Sequence, residues 1–298
     1  EKIINQLKLQ RQKKNYKISG KNFYIKDIID QINNNDNLSK SIFDNLNTII
    51  DINISKIYLD PKNFVNNFSG NIIYKKNKIY KSDLVSTFPN NKKLNLTINT
   101  NENNEKITTI YSENPKPLLS SYKFIKGFEE GILDFYSVKR NNVSESVLKI
   151  SDFKIQEVPV LAKLLTLASL QGIADLLTGE GIRFDDFELK FTSKDKLMRI
   201  DELYAIGPAI SIMMEGYIEK NNLISLKGTL VPATTINRTI ASIPLLGNIL
   251  VGKKVGEGVF GVSFKIKGPK DKLKTTVNPI KTLTPRFITR TLEKLKKN

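Results

Sequence analysis

Four consecutive segments with alternating apolar and polar residues place the strongest constraint on the fold of this chain. They cover residues 182–192, 196–206, 209–219 and 222–231, and two or three turn-forming residues separate each from the next. Alternation with a period of two is typical of a strand with one buried face, and such short gaps join antiparallel neighbours. The segments therefore predict an antiparallel meander.

The apolar residues of the later segments share one parity, which predicts a sheet with one apolar face. A further strand expected at 258–266 continues the pattern, whereas Lys227 and Lys265 fall on the opposite face. The residues expected to line the apolar face are Ile210, Ile212, Met214, Ile224, Leu226, Leu230, Phe260, Val262 and Phe264.

An apolar sheet face has to be covered, and the sequence leaves three ways open. Helices can pack on it, the sheet can close on itself, or the face can line a groove that holds acyl chains. For any single strand, packing in an ordinary protein core is the simplest interpretation.

Residues 158–177 carry apolar side chains at the spacing of three and four that is typical of a helix. A transmembrane span requires about 20 apolar residues, and Pro159, Lys163 and Asp175 interrupt this segment. We therefore expect a surface helix that lies against the apolar end of the sheet. Its contacting residues are expected to be Leu161, Leu164, Leu165, Ala168, Ile173 and Leu177.

The whole pattern predicts a mainly β fold with helices, of the α+β class, in which a long curved antiparallel sheet forms an apolar groove capped by amphipathic helices. Residues 1–115 are expected to be a β-rich N-terminal segment that continues the groove of a longer protein, followed by a C-terminal domain at 116–298. Other expected strands cover 2–13, 51–59, 72–88, 93–99, 106–112, 131–138, 145–155 and 272–278, and other expected helices cover 25–33, 39–48, 117–126 and 235–250.

The chain contains no cysteine, histidine or tryptophan. This composition excludes a disulfide framework, thiolate or imidazole catalysis, and metal sites built from cysteine or histidine. The sequence also contains no carboxylate pair or glycine-rich phosphate loop that would give the remaining polar residues a catalytic role. We therefore expect no enzyme activity, no catalytic residue, no metal and no cofactor.

The formal net charge of +17 suits contact with the phosphate groups of nucleic acids or anionic lipids. Lysine spread over solvated surfaces gives the same total without any function. Only seven of the 47 basic residues are arginine, and aromatic residues do not alternate with basic ones as base-stacking surfaces require. We therefore expect no nucleic acid partner.

Residues 284–297 predict a basic amphipathic helix. Basic residues beside apolar ones suit an anionic membrane surface, and a solvent-exposed cap at the end of the domain fits the same pattern. The residues expected at a membrane surface are Arg286, Phe287, Arg290 and Lys294.

Several strings in the second half of the chain resemble, in order and spacing, the C-terminal region of AsmA-like proteins. They are VPVLAKLLTLASLQGIADLLTGEGIRFDD at 158–186, YAIGPAISIMMEGYIE at 204–219, LKGTLVPATTINRTIASIPLLGNILVGKKVGEGVFGVSFKIKGP at 226–269 and VNPIKTLTPRFITR at 277–290. A weaker string precedes them at 110–138. The chain departs from the family pattern where Gly-rich turns are common near Gly127 and where Arg286 replaces a usual glycine, and residues 1–106 contain no matching string.

The resemblance implies a bacterial envelope protein in the periplasm, anchored to the inner membrane by an N-terminal helix outside this chain. AsmA-like proteins are bridge-type lipid carriers in which phospholipid moves along an apolar β-groove toward the outer membrane. The chain is then expected to be a non-enzymatic part of such a carrier, with phospholipid or another acyl lipid, the membrane surface and other envelope proteins as partners. The alternative is a structural or assembly factor for the outer membrane, whose apolar face serves only as core.

Overall fold

The structure, a computed structural model, describes residues 5–25, 47–76, 78–119, 126–168, 170–219, 223–232, 261–269 and 272–280. These residues form a mostly β fold with few helices, as the alternating sequence predicts. The strands are β1 Gln6–Gln12, β2 Asn15–Tyr24, β3 Thr48–Tyr58, β4 Phe64–Lys75, β5 Lys78–Thr87, β6 Lys93–Thr100, β7 Lys106–Ser112, β8 Lys126–Arg140, β9 Val143–Gln156, β10 Ile182–Lys194, β11 Leu197–Ile206, β12 Ile210–Glu219, β13 Ile224–Pro232, β14 Gly261–Gly268 and β15 Lys274–Ile280. The helices are α1 Lys116–Leu119, α2 Pro159–Leu167 and α3 Gln171–Thr178.

The described strands belong to one sheet, in which β1 to β15 follow one another in sequence order. The meander predicted from the second half of the chain is confirmed, since each strand from β10 to β15 pairs antiparallel with the next. The expectation of a purely antiparallel sheet is wrong at one place, because β2 and β3 are parallel. Residues 25–47, which join them, are long enough for the crossover that a parallel pair requires.

Two strand predictions in the first half of the chain are corrected. The single strand expected at 72–88 is a hairpin, because β4 ends at Lys75, Lys76 adopts a positive φ of 49°, and β5 begins at Lys78. Strand β2 was not expected, because its alternation is interrupted by Gly20 and by polar residues of both parities.

Some predicted elements lie wholly or mainly outside the described residues. They are the helices expected at 25–33, 39–48, 235–250 and 284–297, and with them Arg286, Phe287, Arg290 and Lys294. Thr48, at the end of one of these segments, begins strand β3. The helix expected at 117–126 is a single turn, α1, in its described part.

The chain divides into two compact units, here called unit 1 (residues 1–122 and 130–146) and unit 2 (residues 123–129 and 147–298). In unit 1 the register aligns one row of mostly apolar residues across β3 to β8 and a row of mostly polar residues beside it on the other face. The first row is Ile52, Gly70, Leu84, Leu96, Ile110 and Phe135, and the second is Asn53, Ser69, Val85, Asn95, Tyr111 and Asp134.

The apolar face of unit 1 contains a core cluster of Ile54, Ile57, Val65 and Phe88, each at most 3% exposed. Ile, Val and Phe fit this position because branched and aromatic side chains pack well on a pleated sheet. In unit 1 mostly apolar and mostly polar rows therefore lie on opposite faces of β3 to β8.

Candidate functional site

The register of unit 2 brings the predicted lining residues that the structure describes together on one face. Three rows run across β10 to β14, and we call the surface that they form the unit 2 apolar face. The rows are Phe187, Ala205, Ile212, Leu230 and Val262; Leu189, Leu203, Met214, Gly228 and Phe264; and Phe191, Ile200, Gly216, Leu226 and Ile266. Residues of adjacent strands in one row lie about 5 Å apart, so each row forms a continuous apolar band.

Burial differs among the predicted lining residues. Ile210 is 0% exposed, Leu230 1%, Phe264 3% and Val262 7%, so these four side chains are already packed within the protein. Ile212, Met214, Ile224 and Leu226 are half-buried, and Phe260 lies outside the described residues. Only the half-buried residues present a surface that a bound molecule can touch without unfolding the sheet.

Two glycines in this face are explained by close approach of neighbouring groups. A Cβ at Gly228 would lie 2.6 Å from the Phe264 ring, so the missing side chain makes room for that ring. Gly216 has a φ of 146°, and a Cβ there would collide with the backbone oxygen of Ser225. These glycines therefore serve the packing and backbone geometry of the sheet itself.

The apolar helix expected at 158–177 is two helices, α2 ending at Leu167 and α3 beginning at Gln171. Leu170 has a non-helical conformation with φ −102° and ψ 48°, and its N–H reaches back to the oxygen of Leu165 at 2.8 Å. Thr166 Oγ1 donates to the oxygen of Ala162 at 3.0 Å, a local bond that often bends helices. The expectation of one continuous helix is therefore wrong.

The residues predicted to contact the sheet from this segment are mostly buried. Leu161, Leu164, Leu165 and Leu177 are at most 7% exposed. Ile173 is half-buried, and Ala168 lies half-buried in the break between the helices. Helix α2 contacts β15 and helix α3 contacts β10, so both helices pack against strands of unit 2.

An aromatic stack extends the apolar surface of unit 2 to strands β8 to β10. The rings of Phe128 and Phe153 are stacked at 5.3 Å, Phe153 and Phe184 are stacked at 5.5 Å, and Phe187 meets Phe153 edge-on at 6.2 Å. The sequence interpretation missed this stack. Alternation predicts the face of each phenylalanine within its own strand. The contact between the rings depends on the pairing of β8, β9 and β10.

The opposite face of unit 2 is polar and charged. Glu215 and Lys227 lie 3.0 Å apart, and Lys190 lies 2.8 Å from Glu188 and 3.5 Å from the buried Glu202. The bulge that shifts the register between Ile200 and Leu203 accommodates Glu202 in this face.

A cavity of about 400 Å³ lies mainly over the polar face, not over the apolar face that the sequence singled out. Lys227 and Lys265, predicted on the face opposite to the apolar lining, border this cavity together with Glu202 and Glu215. Its acidic side chains come from β11 and β12 and its basic side chains from β13 and β14, so the cavity carries no uniform charge.

Within the described ranges, no group of three or more acidic side chains has the arrangement of a metal site. No helix in the described part of the chain is long and apolar enough to cross a membrane. The chain matches no known family model, no curated protein and no solved structure.

Proposed function

We propose that the chain is part of a non-enzymatic carrier that conducts phospholipid or another acyl lipid between the inner and outer membranes of a bacterial envelope, with the acyl chains held against an apolar β-surface. The cross-strand rows of the unit 2 apolar face carry this proposal. They bring half-buried Ile212, Met214 and Leu226 onto one face, in three adjacent rows. The resemblance to AsmA-like proteins adds the periplasmic location and the membrane anchor outside this chain.

The proposed mechanism requires no bond chemistry. An acyl chain that leaves water for an apolar surface gains about 0.8 kcal/mol for each buried CH₂ group. Because this gain is similar at each row, a chain can slide from one row to the next without a deep energy minimum. The charged head group stays in water at the rim of the sheet.

A photo-crosslinking amino acid tests the proposal at paired positions. We expect lipid to be captured from bacterial cells at Met214 and Leu226, which are half-buried on the apolar face. The matched control is Lys227, which lies between them in the register of the sheet but on the opposite face. Capture that is equal at all three positions, or absent from Met214 and Leu226, would count against a lipid-bearing face.

A structural or assembly factor for the outer membrane is the second candidate. The full burial of Ile210 and Leu230 favours it, because these residues are packed without any lipid. Mass spectrometry of lipid extracted from the purified chain separates the two candidates. Co-purified phospholipid supports the carrier, and its consistent absence supports the assembly factor.

A further inference from the structure

The apolar face of unit 1 ends in lysine residues at one edge. Lys106 of β7 lies directly opposite Lys139 of β8, and the next pair on the same face is Thr108 and Ser137. The two lysine residues are therefore neighbours on the apolar side of the sheet. Like charges directly opposite each other in adjacent strands destabilise a sheet. A contribution to the stability of the sheet therefore does not explain why two lysines face each other here.

The environment of Lys106 also disfavours its own charge. Burial lowers the pKa of Lys106, and the positive charges of Lys139 and Lys78 lower that pKa further. Lys106 is half-buried, whereas Lys139 and Lys78 are exposed. A bound anion would relieve both the repulsion and the loss of hydration.

The nearby carboxylates are engaged on the polar face. Glu105 binds Arg140, and Glu145 lies 2.9 Å from the same guanidinium. Both glutamates bind Arg140, which follows Lys139 in β8 and therefore lies on the opposite face of that strand. In the part of the chain that the structure describes, no ion pair joins these lysines or Lys78 to a carboxylate.

Polarity changes in steps along this face, from the lysine pair to the hydroxyls of Thr108 and Ser137 and then to the apolar pair Ile110 and Phe135. Each step covers two residues, or about 7 Å of strand. A phospholipid has the same order of groups: a phosphate, then polar esters, then acyl chains. The spacing therefore fits an amphiphile better than a free inorganic anion.

We propose that Lys106 and Lys139, with Lys78 beside them, bind the phosphate group of an anionic lipid whose acyl chains lie along the apolar face of unit 1. This inference rests on the proposed carrier function and adds a preference for anionic head groups to it. Lysine stems lie readily on apolar surface while the ammonium group reaches the polar rim.

Lipid competition on the full chain tests the site. The protein is incubated with vesicles that contain equal amounts of phosphatidylglycerol and phosphatidylcholine, and the lipid that it retains is extracted and measured. A basic residue near an anionic lipid contributes about 1 kcal/mol, or roughly fivefold in affinity. We expect the wild type to retain phosphatidylglycerol preferentially, and the double variant K106Q/K139Q to lose roughly 20-fold of that preference while its total lipid stays unchanged.

Two variants control for charge and folding. K17Q/K81Q removes the same charge from exposed lysines of unit 1 whose register partners Asp51 and Ile73 lie on the polar face, and it should keep the preference. K106R/K139R keeps the positive charge and should also keep the preference for phosphatidylglycerol.

Each remaining outcome decides against the site. A wild type that retains both lipids equally overturns the lysine site alone, whereas one that retains neither overturns the carrier as well. The last experiment measures binding of inorganic phosphate to the wild type and to K106Q/K139Q by calorimetry. Binding of phosphate that depends on Lys106 and Lys139, without any lipid preference, would show a site for a free anion instead.

Discussion

The two ends of strands β12 and β13 carry apolar side chains of the same parity but differ in burial. At the end here called the closed end, Ile210 is 0% exposed and Leu230 is 1% exposed. At the other, open end, Ile218 and Ile224 are paired and half-buried. At the closed end even Ser211, of the opposite parity, is 0% exposed, so both faces are covered there.

This difference separates residues that hold the fold from residues available for function. The closed end has the packing of a protein core, where the loss of even one methylene group lowers the stability of the protein. At the open end residues on both faces are half-buried, and the apolar residues keep part of their surface for another molecule. Parity assigns a residue to a face, but only the tertiary structure decides how deep it lies.

The largest effect is expected from truncation at the closed end. Leu230→Ala should lower the free energy of unfolding by about 2–5 kcal/mol, because it removes a fully buried side chain and leaves a cavity. Leu226→Ala, two rows away on the same strand, should cost clearly less because that side chain is half-buried. Urea denaturation measures both, and equal losses would abolish the distinction between the two ends.

A glycine substitution tests the backbone of the open end. Gly216→Ala should cost about 1–3 kcal/mol, because φ is 146° and the new Cβ meets the Ser225 oxygen. Gly172→Ala in α3 is the control, since nothing lies within 4 Å of a Cβ there. That control should be neutral or stabilising by up to about 1 kcal/mol. Thermal unfolding measures the stability of both variants. A Gly216→Ala variant as stable as the wild type would argue against the strained geometry.

Removal of a buried hydroxyl sharpens the description of the closed end. Ser211 Oγ is buried and has no hydrogen-bond partner among the described residues. Ser211→Ala should therefore raise the free energy of unfolding by about 1 kcal/mol.

Ser263→Ala is the matched control for that change, because Ser263 Oγ donates to the Asn278 oxygen at 3.2 Å. Its loss should lower the free energy of unfolding by about 0.5–1.5 kcal/mol. If both serine variants shift the urea midpoint in the same direction, the closed end is not packed as described.

The smallest effect is expected from the ion pair on the polar side of the open end. Lys227 and Glu215 lie 3.0 Å apart, with side chains that are 65% and 44% exposed. Lys227→Gln should change the free energy of unfolding by less than about 1 kcal/mol, and less still at high salt, because solvent screens such pairs. A larger change that persists in concentrated salt would indicate that this side of the sheet is also a core.

The strands and faces of β10 to β14 follow from alternation, because alternation is a local property of the sequence. The row that joins Ile212, Leu230 and Val262 was not predictable in detail, because register depends on bulges and turns across distant segments. The parallel pairing of β2 with β3 was missed for the same reason.

The candidate site was predictable only in part. Parity placed Met214 and Phe264 on one face, but it did not separate the half-buried Met214 from Phe264, which is 3% exposed. The break after Leu167 was missed because apolar spacing continues through it, while the hydrogen bond from Thr166 to Ala162 is invisible in the pattern. Lys106 and Lys139 lie far apart in sequence, and only strand pairing makes them neighbours.

The sequence order of strands β1 to β15 has a consequence for the kinetics of folding. Most pairings join strands that are adjacent in the chain, so the loops that must close are short and contact order is low for a β protein. We expect hairpins to form early and the sheet to grow from them strand by strand, much as repeat proteins propagate structure between neighbours. Three pairings are exceptions, because β2 with β3, β9 with β10 and β13 with β14 must first close the long segments 25–47, 157–181 and 233–260. These three pairings should therefore form more slowly than the hairpins.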